Sequence, residues 1–437
     1  MAPTVIHSVV LFDGNTTHLN ATVVFNSDSG TITSVSSGSS SDQYPQGATV
    51  IDGTGHSLIP GLIDTHIHCT NVHLPPGADD SMILRSPLKC GVTTVCDMHS
   101  DLSLVQRWRT AIAEELAQAK RAGGTVALSD LKSSLYGATI EGGWPKPIVL
   151  SGHPTEEVIE MVKKWPNLTP ETAADYVKNH KANGADYIKL MQENCCSLAL
   201  PTNSIPVATL ELQTAVVKAA HENGLPCVGH ALSADMTEIV LKAGADGLTH
   251  TFVDQPLPEN IRALYKETNA FVIPTFVVLA SLTNELQDVR ERFADLAFKK
   301  GVIDEVTKQN MIEVLGMKAP TAKLEYAYDT VAKLKKEGID VVAGTDAVAG
   351  LKGTGIGPSL WMELELYTQK CGFSSTEALT SATAAAAKRF GFADRGEVTE
   401  GKRADLVLVK GNVTEKLQNL WEGEGIVGVW KEGLKAA

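Results

Sequence analysis

From Leu58 to His68 the chain reads LIPGLIDTHIH, in which a Pro-Gly break is followed by an apolar run that ends in two histidines. The run predicts a buried strand. Because successive side chains of a strand alternate between its faces, His66 and His68 project from one face, about 6 to 7 Å apart. Two imidazoles at that spacing can bind one metal ion, although isolated His-x-His pairs also occur by chance on exposed strands. The position at the end of an apolar strand favours a metal site, because buried polar side chains need partners.

Beyond this strand the sequence alternates strand-like and helical segments as far as about residue 392. Such alternation is typical of a parallel sheet with crossover helices. The eight predicted strands are Leu62–His68, Gly91–Met98, Pro147–Ser151, Ala185–Met191, Leu225–His230, Asp246–Thr251, Ala270–Thr275 and Gly338–Asp346. Eight is the strand number of a (β/α)8 TIM barrel, so we expect an α/β fold of that kind. The helical interval 276–337 is longer than one crossover needs and is predicted to lie over the barrel mouth.

Both ends of the chain are rich in β-branched residues and turn-forming residues. Short strands are predicted at Thr4–Phe12 and Ala21–Phe25 near the start, and at Gly396–Val398 and Ala404–Val409 near the end. We therefore expect the two ends to pair into one small β domain. The predicted organisation is a β domain made of residues 1–57 and 393–437, and a catalytic barrel made of residues 58–392.

Composition excludes several classes of function. The chain has 437 residues and a formal net charge of −13, which disfavours a nucleic-acid partner because phosphate binding needs clustered Lys and Arg. Seven scattered cysteines do not form the pattern of a disulfide framework. No apolar run is long enough to cross a bilayer, and the start of the chain lacks a basic and apolar leader. We expect a cytoplasmic protein that does not act at a membrane.

Polar residues with metal-binding chemistry stand at or near the ends of five predicted strands. They are His66, His68, Lys189, His230, His250 and Asp346. Each has an ordinary alternative: the lysine could be partly exposed, the later histidines could be hydrogen-bonded core residues, and the aspartate could cap a helix. Because the carboxyl ends of barrel strands share one rim, where the active sites of such barrels lie, six such residues together predict one site.

This set resembles the metal ligands of the amidohydrolase superfamily, in the two-metal class with a carboxylated lysine. The segment Gly401–Val407, which reads GKRADLV, resembles part of the small composite β-sandwich of the same superfamily. The resemblance covers essentially the whole chain and is greatest to the imidazolonepropionase-like branch, which contains prolidase-type dipeptidases and ochratoxinase. After Lys189 the chain departs from the small, Gly-rich continuation expected in that branch and reads LMQENCC over residues 190–196.

The resemblance implies two divalent metal ions as cofactors. One would be bound by His66, His68 and Asp346 and the other by His230 and His250, with N6-carboxylated Lys189 shared between them. Neutral imidazoles and carboxylates suit Zn²⁺, with Mn²⁺ and Fe²⁺ left open. A lysine buried in an apolar strand has a lowered pKa, and its free amine can react with CO₂ to give an anionic bridging carbamate.

The resemblance also implies hydrolysis of an amide C–N bond in a small-molecule substrate, an N-acyl amino acid or a dipeptide-like compound, with ochratoxin-type amides included. A metal-bridging hydroxide would attack, with Asp346 as general base. His153, after the predicted third strand, would contact the substrate as in related enzymes, or else lie in a surface loop. Hydrolysis of an ester, lactone or carbamate by the same site is one alternative, and a non-catalytic binding scaffold is another. A homo-oligomer, common among relatives, is left open.

Overall fold

The computed structural model describes residues 2–38, 44–70, 73–74, 78–151 and 154–437. These residues contain sixteen strands and fifteen α-helices. The strands are β1 (Thr4–Phe12), β2 (Thr17–Asn26), β3 (Thr31–Ser37), β4 (Thr49–Asp52), β5 (His56–Pro60), β6 (Leu62–His68), β7 (Val92–Asp97), β8 (Asp130–Ser133), β9 (Ile188–Met191), β10 (Cys227–His230), β11 (Gly247–Thr249), β12 (Phe271–Ile273), β13 (Ala347–Val348), β14 (Leu406–Lys410), β15 (Ile426–Lys431) and β16 (Leu434–Lys435).

All fifteen α-helices of the described residues lie between strands β6 and β14. They are α1 (Met82–Lys89), α2 (Leu102–Ala122), α3 (Lys146–Val149), α4 (Glu156–Lys163), α5 (Ala173–Ala182), α6 (Leu210–Glu222), α7 (Ala234–Lys242), α8 (Glu259–Thr268), α9 (Phe276–Thr283), α10 (Gln287–Lys299), α11 (Glu305–Ile312), α12 (Leu324–Lys336), α13 (Pro358–Lys370), α14 (Ser375–Ser381) and α15 (Ala384–Arg389). Helices α9 to α12 occupy the interval that the sequence predicts as helical. Among the described residues, no helix combines the length and the apolar character needed to span a membrane.

Two parallel four-stranded sheets form the central part of the molecule. Their strand orders are β13-β6-β7-β8 and β12-β11-β10-β9. Backbone hydrogen bonds connect the two sheets: the Asp186 amide donates to the Ser133 carbonyl at 2.9 Å, and the Val342 amide donates to the Val272 carbonyl at 2.9 Å. Parallel strands separated by helices are buried on both faces, and the strand β6 is buried from Leu62 to Ile67 as expected.

The predicted third strand is wrong. Residues Pro147–Val149 of the predicted strand lie in the short helix α3, and the third strand of the central part is β8. Pro147 explains the difference, because proline has no N–H to donate to a central sheet but is tolerated in the first turn of a helix. The true strand was hidden because Asp130 and Lys132 make it look like a polar loop.

The predicted eighth strand is only partly regular. Within the predicted range Gly338–Asp346, Val341 forms a single parallel bridge to Val272, and the Ala343 carbonyl accepts a hydrogen bond from the Thr65 amide at 3.0 Å. The regular ladder begins just after Asp346, where β13 pairs with β6. Gly344 allows this close approach, since a Cβ there would lie 2.6 Å from Ile273 Cγ2 and 2.9 Å from the His66 amide nitrogen.

Both ends of the chain pair into one eight-stranded sheet, as predicted. Its order is β16-β15-β14-β5-β1-β2-β3, with β4 paired to β1. One face is packed by a core cluster that includes Ile6, Phe25, Leu406 and Trp430. The predicted strand Gly396–Val398 is irregular in the structure. Strand β5 belongs to this sheet and is separated from β6 by Gly61 alone, so the sheet leads directly into the His-x-His strand.

A cluster of charged side chains, of which all but Asp394 are largely buried, joins the start of β8 to the C-terminal segment of the chain. Asp130 accepts hydrogen bonds from Arg395 Nη1 at 2.5 Å and from Arg403 Nη1 at 2.9 Å. Arg395 also pairs with Asp394, and Arg403 also pairs with Asp405. We call these five residues the Asp130 cluster. It lies at the amino end of β8, which is the end opposite to the predicted site, and thus has a structural role.

Candidate metal centre

The strand β6 and the residue that precedes β13 bring three ligand-type side chains together. Nε2 of His66 and Nε2 of His68 each lie 3.0 Å from Asp346 Oδ1. The ligand atoms of these three residues all lie within 4.8 Å of one another. Asp346 has a φ of +56°, a left-handed conformation that is costly for a residue other than glycine. Its amide donates to the His66 carbonyl at 2.7 Å, which holds the aspartate against β6 in that conformation.

A second pair of histidines lies beside the first group. Nε2 of His250 is 3.2 Å from Nδ1 of His230 and 3.7 Å from Asp346 Oδ2. His230 ends β10 and His250 follows β11, and both are almost completely buried. The ring of Trp144 stacks on His230 with centroids 5.1 Å apart, so one face of this imidazole is covered by an aromatic side chain.

Lys189 lies on β9, which pairs with β10, the strand that carries His230. Its side chain is 1% exposed, and its Nζ has no hydrogen-bond partner among the described residues. Burial lowers the pKa of Lys189 to about 7, against the attraction of Asp346. Burial also lowers the pKa of His230 and of His250, and the charge of nearby Lys189 contributes to both shifts. Within the described part of the chain, this buried amine has the attraction of Asp346 but no hydrogen bond.

Burial and the charge of Asp346 determine the protonation states of the first group of ligands, which are His66, His68 and Asp346. Burial lowers the pKa of His66 to about 3, so this ring is neutral at neutral pH. Burial would lower the pKa of His68 too, but the hydrogen bond and charge of Asp346 raise it. Burial would raise the pKa of Asp346, yet the two histidines outweigh it and hold that pKa well below its ordinary value. Asp346 is therefore an anion.

Threonine hydroxyls hold two of the histidine rings in place. Thr249 Oγ1 lies 2.6 Å from Nδ1 of His66, and Thr275 Oγ1 lies 2.5 Å from Nδ1 of His250. Thr275 Oγ1 also lies 2.7 Å from the Pro274 carbonyl oxygen, and its single hydrogen can go to that oxygen or to Nδ1 of His250. Partners of this kind orient metal-binding histidines.

Asp64 links the two segments that carry the first group. It is buried on β6 and accepts hydrogen bonds from the Thr345 hydroxyl at 2.8 Å, the Thr345 amide at 3.1 Å and the His66 amide at 3.2 Å. Burial raises the pKa of Asp64 to about 7, although these donors oppose the shift. The carboxyl group thus fixes the approach of Thr345, and so of Asp346, to the His-x-His strand.

The spacing of the ligand atoms fits metal ions. Two nitrogen or oxygen atoms that each lie about 2.0–2.1 Å from a tetrahedral ion are about 3.4 Å from each other. The separations of 3.0 Å from Asp346 to His66 and His68, and of 3.2 Å from His230 to His250, are close to that value. The first three residues form one candidate cation site, and the second histidine pair extends it towards Lys189.

Five of the six predicted ligands form direct contacts, and Lys189 lies within electrostatic range of them. His153 lies outside the described residues. His99 lies in the loop after β7 and is buried; its carbonyl lies 3.5 Å from His68 Nδ1, and its own Nδ1 accepts from the Gly137 amide at 2.8 Å. The sequence did not predict the supporting residues, which are Asp64, Glu193, Thr249 and Thr275. A carboxylate inside the apolar strand β6 and a threonine just before His250 were the available signals.

Comparison with known proteins identifies the family. Residues 57–435 of the chain match the amidohydrolase family. The chain belongs to the amidohydrolase family. The resemblance drawn from the ligand set is therefore confirmed, and this amidohydrolase is an enzyme, so a non-catalytic scaffold is set aside. The family generally uses a divalent metal ion, for which the group formed by His66, His68 and Asp346 is a candidate site.

Individual relatives of this amidohydrolase are distant. An enamidase from Eubacterium barkeri is 27% identical over 192 residues, which are 41% of this chain and 46% of that protein. The match thus spans about half the length of this curated relative. A Xaa-Pro dipeptidase with bound methionine in its active site is 23% identical, with 99% of each chain covered and a TM-score of 0.72.

The structure of A. niger ochratoxinase is 19% identical to this amidohydrolase, with 100% of this chain and 96% of that chain covered and a TM-score of 0.68. At such identities the likeness shows the fold. The fold is therefore a TIM-barrel-type α/β fold, as predicted.

Proposed function

We propose that this amidohydrolase hydrolyses the amide C–N bond of an N-acyl amino acid or a dipeptide-like substrate, with ochratoxin-type amides included. The observation that carries the proposal is the buried amine of Lys189, which has no hydrogen-bond partner within the described residues and lies close to four imidazoles and Asp346. The names of the relatives, a Xaa-Pro dipeptidase, an ochratoxinase and an enamidase, support an amide-type bond as the target.

In this proposal Lys189 is carboxylated. With a pKa of about 7, a large fraction of the side chain is free amine at neutral pH. The amine attacks CO₂, a C–N bond forms and one proton leaves, so the product is an anionic carbamate with two oxygens. With divalent cations bound, such an anion would be paired at this buried position, and its two oxygens would serve as ligands.

The residues that would hold the ions follow from their contacts. His66, His68 and Asp346 would bind one divalent ion, His230 and His250 the other, and carboxylated Lys189 both. Zn²⁺ suits this donor set, and Mn²⁺ or Fe²⁺ would also be accepted. When bound, two such ions supply a hydroxide nucleophile at neutral pH and polarise the scissile carbonyl.

Asp346 is proposed as the general base. Its carboxylate is ionised because its pKa lies well below the ordinary value, and its side chain is 16% exposed, so a substrate can reach it. Asp346 takes one proton from the attacking nucleophile and delivers it to the amide nitrogen, which leaves as an amine. The acyl carbon leaves as a carboxylate, and the carbonyl oxygen charge is stabilised until the C–N bond breaks.

The experiment is a reconstitution followed by a substrate screen. Protein stripped with a chelator is loaded with Zn²⁺ or Mn²⁺ in the presence of bicarbonate, and its metal content is measured by mass spectrometry. N-acyl amino acids and Xaa-Pro dipeptides are then tested beside p-nitrophenyl esters, lactones and carbamates. We expect two metal equivalents and amide hydrolysis. Failure to bind any metal overturns the proposal, and turnover of esters, lactones or carbamates alone replaces the amide by the alternative substrate class.

Several features of the prediction stay part of this proposal. They are the domain bounds 1–57, 58–392 and 393–437, a barrel closed by hydrogen bonds on both sides, a two-layer sandwich for the sheet of the chain ends, and substrate contact by His153. A cytoplasmic location, a homo-oligomer and the absence of nucleic-acid and membrane partners stay predictions too.

A further inference from the structure

The segment that follows Lys189 carries a buried glutamate where the branch resemblance leads us to expect small residues. Glu193 is 1% exposed and accepts three hydrogen bonds. They come from the Cys195 amide at 2.6 Å, the Leu232 amide at 3.3 Å and Nε2 of His230 at 3.1 Å. An ionised carboxylate can only accept, so Nε2 of His230 must carry its hydrogen. The lone pair of the neutral ring is then on Nδ1.

The nitrogen that faces Nδ1 of His230 belongs to His250. Nε2 of His250 lies 3.2 Å from Nδ1 of His230, and Thr275 Oγ1 lies 2.5 Å from Nδ1 of His250. Because the Glu193 contact leaves the lone pair of His230 on Nδ1, this nitrogen accepts a hydrogen bond from His250. The same lone pair is the one that a cation beside both rings would use.

We infer that Glu193 is a positioning residue that commits Nδ1 of His230 to the second metal ion, an inference that rests on the proposed two-ion function. A carboxylate behind a histidine fixes the ring form and orientation and raises the basicity of the ligating nitrogen. Here the carboxylate stands four residues after Lys189, so one segment would supply both the bridging ligand and the support of a second ligand.

The glutamate is itself firmly held, which the role requires. Its neighbour Gln192 accepts a hydrogen bond from Gln213 Nε2 at 2.6 Å, and Asn194 Oδ1 accepts from the Ser233 hydroxyl at 3.2 Å. The three consecutive polar side chains of residues 192–194 are thus each engaged in the interior. These contacts provide partners in the interior for a polar continuation beside the site.

A purely structural role for Glu193 makes different predictions. If the carboxylate served only to cap the loop through the Cys195 and Leu232 amides, its removal would lower stability without changing which nitrogen of His230 is protonated. The matched control is Glu363, a second buried glutamate, which accepts the Phe276 and Val277 amides, each at 3.0 Å. No hydrogen bond to a histidine is found for Glu363 among the described residues.

The test uses the full-length protein with Glu193→Ala, Glu193→Gln and Glu363→Gln. Histidine-selective ¹⁵N NMR of the chelator-stripped protein reports which ring nitrogen of His230 carries hydrogen, with His230→Gln used to assign the signal. Zn²⁺ titration by calorimetry reports both affinities. We expect Nε2–H in the wild type, a mixture of ring forms in Glu193→Ala, and a 10- to 100-fold weaker second Zn²⁺ site with the first unchanged. Glu363→Gln should lower the melting temperature and leave both readouts unchanged.

Each other outcome has a definite meaning. If Glu193→Ala keeps the wild-type ring form and both affinities, the inference is overturned. If Glu193→Ala loses both Zn²⁺ sites, the variant Glu193→Gln decides, because it keeps the side-chain volume. Equal loss of both Zn²⁺ sites in Glu193→Gln overturns the inference and indicates that Glu193 only supports the loop. If the wild type binds no Zn²⁺ at all, the proposed function fails, while the NMR comparison still judges the effect of Glu193 on His230.

Discussion

The substitution Asp130→Asn tests whether the buried charge cluster joins the C-terminal segment to the central strands. It leaves Arg395 and Arg403 without their shared anion, while each arginine keeps a second carboxylate, Asp394 or Asp405. Breaking a buried ion pair costs about 3 to 5 kcal/mol. Because Asp130 is 21% exposed and both arginines keep a partner, we expect the lower limit, about 3 kcal/mol.

The expected shift in melting temperature follows from the chain length. Unfolding entropy is about 2.1 cal/mol/K per residue, so 437 residues give about 0.9 kcal/mol/K if the chain unfolds cooperatively. A loss of about 3 kcal/mol then lowers the midpoint by about 3 °C. Circular dichroism melts of metal-free protein measure it. The control is Glu160→Gln, whose partner Lys163 is 65% exposed, and which should cost about 0.5 kcal/mol or less.

The pH dependence separates charge from packing. Burial would raise the pKa of Asp130, but Arg403 and Arg395 hold it far below the ordinary value of 3.8. A depressed pKa contributes stability that is fully present above the unfolded value and is lost as pH falls towards the folded value. The difference in the free energy of unfolding between wild type and Asp130→Asn should therefore be constant above pH 3.8. Below pH 3.8 this difference should decrease by about 1.4 kcal/mol per pH unit. A midpoint shift no larger than that of Glu160→Gln, or one that does not change with pH, would refute this reasoning.

Three further predictions concern the site. Asp346→Asn should lower kcat by a factor of about 10² to 10⁴ with metal content retained, and a fully active variant would remove Asp346 from the role of base. Stripped protein should take up Zn²⁺ more slowly in CO₂-depleted buffer than with bicarbonate, and Lys189→Ala should abolish this difference; uptake that ignores bicarbonate argues against the carbamate. Gly344→Ala should lower the free energy of unfolding by about 1 to 3 kcal/mol and should lower activity, because the added Cβ would lie 2.9 Å from the His66 amide nitrogen. The control is Gly124→Ala, whose added Cβ has its nearest contact at 3.7 Å and which should be neutral in the same melts and assays.

The features that the sequence predicts best are those set by local periodicity. The bounds of β6 agree with the predicted strand Leu62–His68, because the apolar run and the Pro-Gly break act within a few residues. The pairing of the two chain ends was also predicted, since β-branched runs and turns mark strands locally. His66 and His68 were placed on one face by the same alternation.

The features that sequence analysis missed depend on distant partners. Strand β8 is polar because Asp130 pairs with arginines 265 and 273 residues away, so its composition is that of a loop when those partners are ignored. Glu193 is similar: its contact with His230 joins residues 37 positions apart, and nothing near residue 193 indicates it. A short apolar run such as Pro147–Ser151 fails for the opposite reason, since periodicity alone cannot distinguish a strand from a helix of that length.

The two buried polar clusters differ in how completely they satisfy themselves. In the Asp130 cluster, every guanidinium nitrogen of Arg395 and Arg403 donates to an oxygen, so the cluster needs nothing more. At the opposite strand ends, the Lys189 amine is buried without a hydrogen-bond partner in the described chain. Unsatisfied buried groups cost free energy that binding can return. The first cluster therefore stabilises the fold alone, whereas the second would stabilise it further by binding the cations that the proposed function assigns to it.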